Sequence, residues 1–335
     1  MLYFFKQHWK AFLFLIIIVV AISAAYLADF SRPMNFGVTF SSVYAQDELG
    51  LDWRAAYLAI LDDLKVSHLR LSAYWNQIEK TDGRYDFSNL DWQISEAEKR
   101  QVKIILAVGR RLPRWPECHD PVWIKGMNSI EAEQKQLAFV EAVAGRYAKN
   151  GSLIYFQVEN EPYLSTFGIC PPVNAELLKK EIAAVKRLTA KPILVTDSGE
   201  LSTWWPISRS GGDILGTTLY RVVYNPTVGY FRWFTPPFFY WARVELIKMA
   251  SPIKRVIVAE LQAESWHAAG QNLATMTLAD HQLSMGLDQF KANIKFTRRA
   301  GFDEAYLWGA EWWYLMKAKK DYPAYWDEAR KLWVQ

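Results

Sequence analysis

Leu153-Ile154-Tyr155-Phe156-Gln157-Val158 runs straight into Glu159-Asn160-Glu161-Pro162. A short, mostly apolar run bounded by a polar turn and a proline reads as a buried strand. The same punctuation recurs along the chain. Strands are predicted at Phe36–Phe40, Ser67–Ser72, Val102–Val108, Leu153–Val158, Pro192–Thr196, Ile214–Leu219, Arg255–Glu260 and Glu304–Trp308. Helix-period segments follow most of them: Asp52–Lys65, Leu90–Arg100, Ile130–Ala148, Ala175–Leu188, Pro237–Met249, Asp280–Ala300 and a short terminal helix. The stretch after the fifth strand reads as irregular. Strand and helix in regular alternation imply βα units and a parallel sheet.

Eight such units suit a single closed (β/α)8 TIM barrel better than an open doubly wound sheet. An open sheet needs two edge strands, shorter and more polar, and none is visible. It would also be expected to carry a Gly-rich phosphate loop after the first strand, where Ser41-Ser42-Val43-Tyr44 stands instead.

Length and composition agree with one large folded domain. Of 335 residues, 51 % are hydrophobic and 22 % charged, the balance of a globular chain. With 39 Lys+Arg against 35 Asp+Glu, the net charge of +4 gives no reason to expect a polyanion or nucleic-acid partner. Two cysteines exclude a disulfide-framework fold and a four-thiolate zinc site. The five histidines are scattered, no H-E-x-x-H occurs, and there is no G-x-S-x-G elbow or P-loop. No metal and no cofactor is expected.

The N-terminus differs from the rest. Lys6, His8 and Lys10 precede an uncharged run from Ala11 to Ala28, and Asp29 and Arg32 end it. That run sits at the short edge of what spans a bilayer, about 17–25 residues. Its basic flank keeps the N-terminus cytoplasmic and exports the rest. Residues 1–29 therefore read as an uncleaved signal-anchor, or alternatively as a signal peptide cut near Ser23-Ala24-Ala25. Residues 30–335 read as an extracytoplasmic domain, tethered to the cell membrane or secreted. In that compartment Cys118 and Cys170 either pair or remain two buried thiols. They fall in loops after neighbouring strands, at the same end of the barrel.

A barrel's chemistry sits at the C-terminal ends of its strands. The fourth strand closes with Glu159-Asn160-Glu161 and the seventh with Glu260, so two carboxylates face each other across the mouth. Glycoside hydrolysis needs such a pair, one protonated to release the leaving oxygen and one ionised to attack the anomeric carbon. Mutual repulsion raises one of the two pKa values.

The segment Ile154–Pro162 resembles, position by position, the fourth-strand signature of the cellulase family, glycoside hydrolase family five. More broadly the chain is similar to clan A of the glycoside hydrolases, retaining (β/α)8 barrels. The resemblance implies that Glu161 is the acid/base, Asn160 binds the sugar 2-hydroxyl and Glu260 is the nucleophile. It also implies roles for Arg70 beside the nucleophile, Tyr220 as its hydrogen-bond donor and Trp308 as a sugar platform. Trp75, Glu79, Gly83, Tyr85, Asp86 and Phe87 follow a spacing seen in family forty-two β-galactosidases. Two departures keep the substrate open. Thr218 stands where family five commonly has histidine, and Pro162 follows the acid/base where family forty-two has tyrosine and glycine.

Several residues carry competing readings. Glu264 is a rival nucleophile in the same loop as Glu260, which could instead pair with Lys254 or Arg255. Arg70 could be a plain interior ion-pair residue. Trp115, His119 and Trp123, in the loop after the third strand, are candidate sugar contacts or loop packing. Asp197 and Glu200 are reserve polar residues after the fifth strand. The aromatic stretch Tyr230–Trp241 reads as a cleft wall, a membrane-resting patch or packing onto the barrel. The function expected is a retaining β-glycosidase acting on a β-linked oligo- or polysaccharide. A transglycosylase with the same residues, an inactive carbohydrate-binding barrel and a protein scaffold are the alternatives.

Overall fold

The computed structural model describes residues 2–268 and 270–334, the side chains of residues 2–7 excepted. The Lys6 charge invoked for the basic flank thus lies outside the described residues. Helix α1 (Leu2–Leu27) leads into β1 (Asn35–Thr39), α2 (Trp53–Asp62), β2 (His68–Ser72), α3 (Trp75–Ile78), α4 (Ser88–Lys99) and β3 (Lys103–Val108). Then come α5 (Ser129–Tyr147), β4 (Leu153–Val158), α6 (Ala175–Leu188), β5 (Ile193–Asp197) and β6 (Ile214–Leu219). A hairpin of β7 (Val222–Asn225) and β8 (Gly229–Arg232) precedes α7 (Pro237–Ala250) and β9 (Arg255–Gln262). The chain continues through α8 (Leu278–Met285), α9 (Leu287–Arg299), β10 (Glu304–Trp308), α10 (Ala310–Lys319) and α11 (Ala324–Arg330).

Eight of the strands close a parallel barrel in the order β1-β10-β9-β6-β5-β4-β3-β2. β1 pairs with both β10 and β2, so the sheet has no edge. This is the (β/α)8 barrel expected from the alternation. Parallel strands covered on both faces need continuous apolar runs, and the strand residues are almost all buried. Ile105, Leu194, Ile214, Ile257 and Tyr306 pack together as one cluster, with Tyr155 against it. Gly37 makes room there, since a Cβ on it would meet the Tyr306 ring at 2.7 Å.

Some local expectations change. The single helix expected over Asp280–Ala300 is two, because Gly286 adopts φ −72°, ψ 162° and ends α8 before α9 begins. The stretch after β6 is not only a loop. Val222–Asn225 and Gly229–Arg232 pair antiparallel, and the Asn225 side chain accepts from the Thr227 and Val228 amides to form the turn. The aromatic stretch divides. Tyr240 is buried on the barrel, whereas Phe234 and Phe238 stay exposed.

Within α1, His8–Leu27 has a mean hydropathy of 2.5 and is not buried, so by length and composition it can cross a membrane. Its exit is fastened to the barrel. The Arg299 guanidinium donates to the carbonyls of Tyr26 and Ala28. Phe30 stacks on Trp241 with centroids 4.4 Å apart.

Candidate active site

The mouth of the barrel is organised around one guanidinium. Arg70, on β2, is fully buried. Its Nε donates to Gln157 Oε1 at 2.8 Å, Nη2 to Asn160 Oδ1 at 2.7 Å, and Nη1 to Glu260 Oε1 at 3.0 Å. Three strands are thereby tied at one point, two of them carrying the opposed carboxylates. The planar fork of arginine suits this role; a lysine has no comparable reach. Glu260, on β9, receives a second donor from Tyr220 Oη at 3.0 Å. Burial, and then the nearby Glu260 and Glu161 carboxylates, push the Tyr220 hydroxyl well above its ordinary range, so it keeps its proton and donates.

Glu161 meets a different environment. Its backbone N–H donates to Thr196 Oγ1 at 2.9 Å, but its Oε1 is buried with no partner. Burial first, then the charges of Glu260 and Glu117, raise its pKa well above the carboxylate range. One carboxylate is thus held by two donors, while the one across the mouth is left to keep its proton.

Glu159 has a structural task. Its carboxylate accepts from the backbone N–H groups of Arg110 (2.6 Å) and Arg111 (2.7 Å) and from Gln136 Nε2 (3.1 Å). Gly109 permits this, since a Cβ there would lie 2.2 Å from Glu159 Oε1. Glu159 and Glu161 both take left-handed backbone angles, φ 57° and 43°. Non-glycine residues seldom hold that conformation, and it concentrates at functional sites.

The remaining candidates separate. Asn160 joins the cluster, accepting from Arg70, Gln157 and Thr196 through Oδ1. Glu264, the rival nucleophile, is paired with Arg114, which also donates to Glu311 at 3.0 Å. Trp308 is 8 % exposed, and the Arg114 guanidinium covers one face of its ring at 4.2 Å. That side of the indole is not an open platform. His119 is buried against Tyr74, with Nε2 3.2 Å from the Arg114 carbonyl, and burial lowers its pKa to about 4. Its contacts are those of loop packing. Trp123 donates to the Glu79 carbonyl at 2.7 Å and sits edge-on to Trp75, again packing. Trp115 alone of that group is widely exposed, edge-on to Phe167. Phe167 touches Trp266, and Trp266 touches Tyr220. An aromatic row therefore leads from the surface to the tyrosine beside Glu260.

The spaced motif beginning at Trp75 is a brace. Glu79 accepts from the Trp75 indole and the Gly83 amide, each at 2.7 Å. Glu200 is also a brace, accepting from Thr218 Oγ1, the Tyr220 amide and Tyr240 Oη. Thr218, which departs from the family-five histidine, is thus used to seat Tyr220. Asp197 accepts from the Ser198 amide. Cys118 and Cys170 form a disulfide with Cα atoms 5.3 Å apart. It ties the loop after β3 to the loop after β4.

Glu117 is the residue that sequence reasoning missed. Its Oε2 accepts from Asn160 Nδ2 at 3.2 Å, which brings a third carboxyl to the cluster. The available signal was its place in a loop on the catalytic face, between Trp115 and Cys118.

No family model matches the chain. Over 188 residues it is 26 % identical to β-galactosidase BgaA of Clostridium cellulovorans, a match covering 50 % of this chain and 28 % of that protein. The chain thus spans little more than a quarter of that curated relative. Among solved structures, the exo-β-1,4-mannosidase Op5Man5 from Opitutaceae bacterium strain TAV5 superposes with TM-score 0.56 at 15 % identity, covering 85 % of this chain and 54 % of that one. A glycosylated family 10 endo-β-1,4-xylanase from Gloeophyllum trabeum gives 0.57 at 11 % identity, covering 92 % and 100 %. A family 1 β-glucosidase from Thermotoga maritima gives 0.54 at 13 %, covering 84 % and 89 %. The barrel is the one these glycoside hydrolases share.

Proposed function

We propose that this chain is a retaining β-glycosidase that cleaves β-linked oligo- or polysaccharide by double displacement. The observation that carries the reading is the contrast between its two opposed carboxyls. Glu260 is gripped by Arg70 and Tyr220, whereas Glu161 has an unpartnered buried oxygen and a raised pKa. Environments that push two carboxyls apart define an acid and a nucleophile.

Glu260 attacks the anomeric carbon while Glu161 protonates the departing oxygen. A glycosyl ester forms on Glu260 and the glycosidic bond breaks. Glu161, now ionised, takes a proton from water, and that water displaces Glu260 with net retention. Asn160 receives the substituent at sugar C2, and Trp115 and Phe167 border the approach. The barrel, residues 30–335, is the catalytic domain. Residues 1–29 anchor it to the cell membrane, with the barrel on the extracytoplasmic side.

The test is hydrolysis of β-linked oligosaccharides and aryl β-glycosides by the full chain in detergent, beside Glu260→Gln and Glu161→Gln. Each variant is expected to lose ~100-fold or more in kcat on natural leaving groups. The first-formed product, followed by NMR, should keep the β configuration. Equal cleavage by all three proteins, or an inverted product, sinks the assignment.

A further inference from the structure

Glu117 is a buried carboxyl that the double displacement does not use. It is 4 % exposed and accepts from Asn160 Nδ2 at 3.2 Å. Arg111 Nε stands 3.6 Å away, beyond a good hydrogen bond. Burial, and then the Glu260 charge, push the carboxyl up to about 8. Glu161, whose Oε1 is buried without a partner, has Glu260 and Glu117 as its strongest charged neighbours. Three carboxyls thus converge on one space. The cations that bear on Glu117 are Arg111 and Arg70, and Arg70 is already committed to Glu260 and Asn160.

The position of Glu117 relative to a bound sugar follows from connectivity. Glu260 reaches C1. Asn160, which shares Arg70 with Glu260, reaches the substituent on C2. Glu117 is bonded to that same amide, so its carboxyl faces the C2 substituent too. We propose that Glu117 receives a free ammonium group there, making the substrate class a β-linked 2-amino-2-deoxy sugar. This rests on the glycosidase reading above. A hydroxyl at C2 is served by Asn160 alone. An ammonium brings three donors and a charge; its arrival beside the otherwise protonated Glu117 favours the ionised carboxyl, and the two form a charge-assisted pair. An N-acetyl group would bring bulk without charge beside Glu117, which already touches Asn160 and lies 3.6 Å from Arg111.

The experiment uses matched pairs of 4-nitrophenyl β-glycosides, amine against hydroxyl at C2, in the gluco, galacto and manno configurations. The full chain is assayed as wild type, Glu117→Gln and Glu117→Asp. In one configuration, wild-type kcat/KM should favour the amine by ~10-fold or more, the scale of a hydrogen bond to a charged group. Glu117→Gln should bring that ratio to about one, and Glu117→Asp should restore part of it. Calorimetric titration of the same free amino sugar should show tighter binding than its hydroxyl counterpart, lost in Glu117→Gln. A wild-type ratio of one or below in every configuration overturns this inference, whether or not the variants fold. Glu260-dependent cleavage of the hydroxyl substrates would then leave the glycosidase reading standing. No cleavage of any glycoside by folded wild type overturns both.

Discussion

Removing Arg70 tests whether the site is built around one guanidinium. Arg70→Met keeps most of the side-chain length and deletes every donor. Gln157, Asn160 and Glu260 then each lose a partner within 3.0 Å, and the Ala259 carbonyl loses one at 3.4 Å. Arg70 is fully buried and the Glu260 side chain only 5 % exposed. Water therefore cannot readily replace the lost donors. Breaking a buried ion pair by removing one partner costs about 3–5 kcal/mol. At roughly 2–4 °C per kcal/mol for a large domain, the melting temperature should fall by about 6–20 °C. The assay is urea or thermal unfolding of the full chain in detergent, in a cycle with Glu260→Gln and the double variant. Glu260→Gln alone leaves Arg70 charged and uncompensated. The double variant removes both charges, so its cost should fall short of the sum of the singles by about 2 kcal/mol or more. If Arg70→Met costs under ~1 kcal/mol, or the two changes simply add, Arg70 is not the organising group.

Two further outcomes follow from the same loops. The Glu117 carboxyl, held up near 8 by burial and Glu260, lies above its ordinary 4.5. Its contribution to stability is complete below that ordinary value and is lost as pH rises towards 8. The slope is about 1.4 kcal/mol per pH unit. Between pH 5 and 8, wild type should therefore lose up to ~4 kcal/mol relative to Glu117→Gln; a difference that does not vary with pH refutes the burial argument. The second concerns the disulfide. Cys118 and Cys170 are 52 residues apart, and closing such a loop stabilises by ~4 kcal/mol on the chain-entropy account. Cys118→Ser with Cys170→Ser should lower the urea midpoint accordingly, and an unshifted midpoint would show that the bridge constrains nothing.

The barrel was legible because its strands are buried on both faces and carry near-continuous apolar runs. Leu153–Val158, Ile214–Leu219 and Glu304–Trp308 needed no correction. The β7–β8 hairpin was not legible. Only Val222 and Val223 of its strand residues are buried, and Pro226 amid aromatics reads as loop. Glu161 and Glu260 could be found because they end strands, and topology alone brings strand ends together. Glu117 and Arg114 could be placed in a loop on the catalytic face, but what they do could not be read, because their chemistry is made by tertiary contacts. Arg114 meets Glu264 and Glu311 at separations of 150 and 197 residues, which no spacing rule encodes. The same holds for His119 and Trp308. Their types suit sugar binding, but neighbours distant in sequence decide which ring faces stay open.

The fourth-strand turn shows why two glutamates of one motif take opposite tasks. In continued extended chain, Glu159 and Glu161 would point the same way. Left-handed angles at both positions break that alternation. Glu159 turns outward to the amides of Arg110 and Arg111 and the Gln136 side chain, three donors that fix the turn. Glu161 remains at the mouth with Oε1 unmatched. A buried carboxyl in that position is costly when ionised and much less so when protonated. The satisfied glutamate therefore holds in place the unsatisfied one, and burial without a partner is what keeps the Glu161 carboxyl protonated.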